Sequence, residues 1–230
     1  MSDTADVVEA QPLALMAEHV EVPESNLSLF IARHGVGKSA VLINLALDQL
    51  LQGKQVLHFT TGMTSEKTHQ YYQELFLDFT RQNPDSTQMS WNEIYQNFMV
   101  VSYMDSANMI NDLESEMYTI LDNARMEPSL VLIDGLEVHG QTAQDLARIR
   151  AVAIEHQIRI AGAMIIHRHL NGSVDLDGPL ALAKQHASNV YWLQPSPEND
   201  RVNIERILGA NHAQLLDVHF CPHDLLFKRS

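Results

Sequence analysis

An apolar run, Leu27 to Ala32, ends in Arg33-His34-Gly35-Val36-Gly37-Lys38-Ser39, and from Lys38 to Leu51 the chain carries helical periodicity. Strand, glycine-bearing loop and helix in direct succession bring backbone N–H groups to a phosphate. Glycine takes positive φ without a side-chain clash, and the unpaired N–H groups of a helix start carry partial positive charge. The expected nucleotide-binding segment is therefore Ala32, Arg33, His34, Gly35, Val36, Gly37, Lys38 and Ser39. In such a loop Lys38 reaches the β- and γ-phosphates and the Ser39 hydroxyl ligates Mg²⁺.

The rest of the chain repeats the alternation. Val56–Thr60, Met99–Tyr103, Leu130–Asp134, Ile160–Ile166 and Val190–Leu193 read as strands, and 64–82, 108–125 and 142–156 as amphipathic helices. Two short segments near the end, 201–208 and 215–220, suit antiparallel strands. The pattern predicts an α/β fold with a mostly parallel central sheet flanked by helices and C-terminal antiparallel strands. With 230 residues, one core suffices, since single cores grow to about 250 residues. The domain is expected over 26–230, after an acidic lead-in over 1–25.

A second chemical position follows from the run Leu130-Val131-Leu132-Ile133-Asp134. A carboxylate at the C-terminal end of such a strand can hold Mg²⁺ through water, although the same residue could simply cap the strand. Ser39 and Asp134 are the expected metal-side residues. His167 and His169 stand two apart after another apolar run, but no third ligand accompanies them, so a metal site is not expected there.

Several stretches resemble the replicative helicase (DnaB) family of RecA-like P-loop ATPases. Ala32 to Ser39 is similar to that family's A-R-P-x-x-G-K-T loop, and Val56-Leu57-His58-Phe59-Thr60-Thr61-Gly62-Met63-Thr64-Ser65-Glu66 to its V-L-x-F-S-L-E-M-S-x-E segment. Leu132 to Glu137 resembles I-D-Y-L-Q, Ala163 to Leu170 resembles A-L-S-Q-L-x-R, and Gly178 to Trp192 resembles G-S-I-E-Q-x-A-D with its following strand. The resemblance implies a RecA-like fold binding ATP and Mg²⁺, with His167 at the place of a polar sensor of the γ-phosphate.

It also implies losses. Gly62 occupies the position of the family's catalytic glutamate, and Gly209-Ala210-Asn211-His212 that of its K-x-R element. A water-positioning base is worth about 10²–10⁴ in rate, and a charge-stabilising finger about 10³–10⁵. Glu66, Glu137 and Arg206 are the candidates for substitute catalytic groups.

Charge bears on partners. Fifteen Lys and Arg against 29 Asp and Glu give a net charge of -14, which opposes the phosphate attraction behind most nucleic-acid binding. The stretch Asp134–Thr142 has no Lys or Arg, and the loop after His169 carries Asp175 and Asp177. Direct nucleic-acid binding is therefore not expected; nucleotide and a protein partner or self-association are. No membrane partner is expected, and the acidic start together with a lone Cys221 suits the cytoplasm.

The composite expectation is an ATP-binding protein with weak or no hydrolysis, regulatory or structural in a larger assembly. The alternative is an active oligomeric ATPase of DNA replication, repair or plasmid maintenance. A phosphotransferase would need an Arg-rich lid, and none is visible. Cys221 is expected in the core, as is most of the aromatic set Tyr71, Tyr72, Phe76 and Phe79.

Overall fold

Continuous apolar runs such as Leu29-Phe30-Ile31-Ala32 have both side-chain faces to bury, and parallel strands covered by helices on each side do so. The computed structural model describes residues 19–84, 87–123, 126–138, 142–166, 177–198, 200–207 and 213–229. Its strands are β1 (Asn26–Ala32), β2 (Gln55–Thr61), β3 (Phe98–Tyr103), β4 (Pro128–Glu137), β5 (Arg159–Ile165), β6 (Asn189–Pro195), β7 (Val202–Ile207), β8 (Ala213–Phe220) and β9 (Phe227–Arg229). Its helices are α1 (Lys38–Leu51), α2 (Ser65–Gln82), α3 (Trp91–Tyr95), α4 (Ser106–Asn123), α5 (Thr142–Glu155) and α6 (Asp177–His186).

All strands join one sheet in the order β3-β2-β4-β5-β1-β6-β7-β8-β9, parallel from β3 to β6 and antiparallel beyond. Alternation along β1 divides the core. Phe30 and Ala32 face α1 and α2 in one buried cluster, whereas Leu27, Leu29 and Ile31 face α4 and α5 in the other. The expected architecture is what forms, with element ends displaced by one or two residues. The site of His167, and that of Gly209-Ala210-Asn211-His212, lie outside the described residues.

Several features differ from expectation. Helix α3 was legible as a capping box: the Ser90 hydroxyl accepts the Glu93 N–H while the Glu93 carboxylate accepts the Ser90 N–H, the S-x-x-E arrangement. Strand β9 is too short to show a period. Cys221 is half-buried at the β8–β9 turn rather than in the core, because the turn places its thiol beside Asp224 and Lys228. Within the acidic lead-in, Val20 is buried and the Glu21 carbonyl accepts bonds from Ser28 and Asn189, so this stretch is fastened to β1 and β6.

The aromatic stripe of α2 separates into two roles. Tyr72, Phe76 and Phe79 are buried, while Tyr71, one position aside, is only partly so. The Tyr72 hydroxyl meets Nδ1 of His58 at 3.0 Å, and His58 Nε2 has no hydrogen-bond partner. Protonation would leave a buried N–H⁺ unpaired, and burial, with His69 nearby, holds the His58 pKa down at about 3. The unfolded chain, with a His pKa of about 6.5, takes up that proton first as pH falls. Stability from this group is thus fully present above pH ~6.5 and lost toward pH ~3, by up to about 1.4 kcal/mol per pH unit. His58→Asn keeps a polar partner for Tyr72 without titrating. Urea unfolding at pH 7 and pH 5 should show a shallower acid loss in this variant; an unchanged loss would refute the assignment.

Candidate functional site

The loop between β1 and α1 takes its shape from two glycines. Gly35 has φ 78° and Gly37, the helix N-cap, φ 104°. No side chain caps α1 and no acidic residue lies in its first turn, so its leading N–H groups are left to another acceptor. Gly37 is also a close-approach position, since a Cβ there would lie 2.8 Å from Cε1 of Phe220. The C-terminal hairpin thus supports the loop. Asn44 of α1 reinforces that contact by donating from Nδ2 to the Leu225 carbonyl at 2.9 Å.

Beneath the loop is a cavity of about 530 Å³ whose lining includes Lys38, Ser39, Asp134, Gly62, Tyr71 and Glu137. Lys38 is 7% exposed and donates from Nζ to the carbonyls of Ala32 at 3.2 Å and Arg33 at 2.7 Å. Its burial lowers the ammonium pKa, against the opposing pull of Asp134. Asp134 is 5% exposed, and its pKa is raised by burial, in part offset by the Ser39 hydroxyl, the Lys38 charge and the Gly135 N–H. A cation, a carboxylate and a hydroxyl that share one buried locus form a half-neutralised pair ready to exchange partners with an anion and its metal.

The aim of Asp134 depends on its neighbour. The β4–β5 register shifts between Asp134 and Leu136, and Gly135 has φ 101°. A Cβ at Gly135 would fall 1.9 Å from Oγ1 of Thr61 on β2. This irregularity lets β4 run on to Glu137 while the Asp134 carboxylate stays directed at the loop.

The residues considered for catalysis are dispersed. Gly62, with φ 79°, lies in the cavity wall with nothing within 4 Å of where its Cβ would be. Glu137 is exposed at the rim. Glu66 is exposed in the first turn of α2 and does not line the cavity; that helix starts with Thr64 accepting the Lys67 N–H. Arg206 on β7 is engaged elsewhere, donating to Asn189 Oδ1 at 2.7 Å and Glu21 Oε2 at 3.1 Å. Within the loop itself, Ala32 is buried, His34 is exposed and Val36 packs on the core.

Known proteins add one comparison. No known family profile matches the sequence, and no curated protein matches it. Among solved structures the ATPase domain of a DnaB-like helicase superposes with a TM-score of 0.63 at 13% identity, covering 90% of this chain and 85% of that one. The fold is that of a RecA-like ATPase domain. It is widely shared, with 529 solved chains matching, so the fold by itself says nothing of this chain's reaction.

In the RecA-like frame the cavity lies outside the carboxyl ends of β1, β2 and β4, where open α/β sheets hold ligands. Mg²⁺ fits the donor set: it keeps several waters and takes one or two protein oxygens beside phosphate, as Ser39 and Asp134 could supply. Among the described residues no group of three His, Cys, Asp or Glu forms a protein cage for a metal. Among the described residues no helix is long and apolar enough to cross a membrane.

The sequence reading did not include Tyr71, Thr61, Gly135 or Leu225 in this site. Tyr71 sits one position off the α2 stripe, which is a readable signal. Leu225 has φ 56° and lines the cavity from the β8–β9 turn, a placement no local pattern reveals.

Proposed function

We propose that this chain binds a magnesium nucleoside triphosphate, with ATP as the expected nucleotide, and hydrolyses it slowly or not at all. It would act in the cytoplasm as a regulatory or structural partner within a larger assembly. The observation that carries this reading is a divided cavity wall. Lys38, Ser39 and Asp134 converge on it, while Gly62 stands at the strand end where the helicase family, by resemblance, has its glutamate.

The chain's residues would act as follows. Lys38 leaves the carbonyls of Ala32 and Arg33 for phosphate oxygens, a stronger partner for a cation. Backbone N–H groups at Gly37 and beyond take further oxygens. The Ser39 hydroxyl turns from Asp134 toward Mg²⁺, and Asp134 orients the ion's water. Bound Mg²⁺ neutralises phosphate charge. Gly62 has no group to accept a proton from water, so turnover stays low.

Glu137 favours a second reading, an active oligomeric ATPase in DNA replication, repair or plasmid maintenance, because its carboxylate lies on the same cavity. Calorimetry with Mg-ATP and a phosphate-release assay, with and without single-stranded DNA, separate the two. Binding with release at background supports the first reading. DNA-stimulated release that Glu137→Gln lowers by about 10²-fold or more supports the second. Absence of binding refutes both.

A further inference from the structure

Tyr71 is unlike the other tyrosines of the core. The Tyr72 hydroxyl bonds His58, and the Tyr191 hydroxyl bonds the Glu21 backbone at 2.8 Å. Tyr71, from the same helix as Tyr72, lines the cavity with Lys38, Gly62 and Asp134, and among the described residues its hydroxyl has no hydrogen-bond partner. A tyrosine drawn into a protein wall ordinarily pairs its hydroxyl, so an unpaired one that faces a cavity is a donor in want of an acceptor.

The chemistry of that wall identifies the acceptor. The loop side of the cavity offers Lys38, Ser39 and backbone N–H groups, whereas Asp134 and Glu137 put negative charge on it. A polyphosphate seated on Lys38 would project its terminal group toward Gly62, where a carboxylate would repel it and glycine offers nothing. Tyr71 supplies an uncharged O–H donor there. Burial, with Asp134 and Glu74 nearby, pushes its pKa up to about 12. The phenol therefore stays protonated at neutral pH and donates without taking a proton from water.

We propose that Tyr71 recognises the terminal phosphate, its hydroxyl donating to a γ-phosphate oxygen so that the site prefers nucleoside triphosphate over diphosphate. The inference rests on the reading of this cavity as a nucleotide site and names the residue that makes the site selective. Holding the γ-phosphate by a donor that cannot act as a base separates recognition of the triphosphate from its cleavage. A protein that reports on nucleotide state needs that separation, because a switch requires different affinities for its two ligands.

Tyr71→Phe removes one oxygen and keeps the ring. Titrations of the full chain with Mg-ATP and with Mg-ADP, alongside unfolding midpoints to verify the fold, provide the test. The unsubstituted chain should bind Mg-ATP more tightly than Mg-ADP. In Tyr71→Phe the ATP affinity should fall about tenfold or more, as for loss of a hydrogen bond to a charged group, with ADP affinity changed less than about twofold. Equal losses for both nucleotides, no loss for either, or equal affinities in the unsubstituted chain would overturn the role of Tyr71 and leave nucleotide binding intact. Binding of neither nucleotide to the unsubstituted chain would overturn both.

Discussion

Lys38→Met should lower Mg-ATP affinity about a hundredfold while leaving the stability of the nucleotide-free chain within about 1 kcal/mol of the original. The loss follows from removing charge-assisted hydrogen bonds to phosphate, each worth about 1.5–3 kcal/mol where the partner is charged. The near-neutral stability follows from the opposing terms at this position. The ammonium is 7% exposed and burial works against its charge, so methionine removes a desolvation cost. It also removes the bonds to the Ala32 and Arg33 carbonyls, which returns part of that gain. Replacing a buried ion by an apolar side chain of similar length is commonly close to neutral for this reason. Calorimetry gives the first quantity and urea unfolding the second. Undiminished ATP affinity would remove the loop from the binding site, and a chain destabilised by several kcal/mol would make Lys38 a structural residue.

Gly135→Ala should produce the largest loss of stability among these substitutions, about 2–4 kcal/mol. Positive φ in a non-glycine residue costs about 1–3 kcal/mol. The new Cβ would in addition fall 1.9 Å from the Thr61 hydroxyl oxygen. Relief can come only through a rotation of Thr61 or a movement of β4 away from β2, which pair in register through Asp134 and Thr60. Because the register shift at Gly135 aims Asp134, ATP affinity should fall as well. In the double variant Thr61→Ala/Gly135→Ala the steric part should be partly recovered and the backbone part retained, so the two losses should not add. Strict additivity in the urea midpoints would mean that the two positions do not meet.

Those substitutions also mark where sequence reasoning succeeded and where it stopped. The strand, loop and helix from Asn26 to Leu51 were legible because each part adjoins the next, so one pattern set the strand, the turn and the helix start. Asp134 was legible for the same reason, as the last residue of a run whose burial the parallel sheet demands. Tyr71 was obscured by Tyr72: a doublet on a helix spans about 100°, enough for one ring to enter the core and the other to face the cavity. Gly135 carried no local sign, because its need for positive φ arises from Thr61, a residue of another strand. Arg206 was weighed as a catalytic group, yet its partners Asn189 and Glu21 come from other parts of the chain that no spacing rule connects. The unread features share one cause, which is contact between residues distant in sequence.

The hairpin of β8 and β9 against the loop has a consequence in time. The Asn44–Leu225 bond joins positions 181 apart, and Phe220 closes on Gly37 from a similar distance. At about 5–20 residues per second on the ribosome, roughly ten to forty seconds separate the synthesis of the loop from that of the residues that brace it. During that interval the loop glycines have their conformational freedom without the ring that restricts them. The nascent chain passes through a stage in which the lysine has been made but its seat has not, so the loop can reach its final shape only when the last strands arrive.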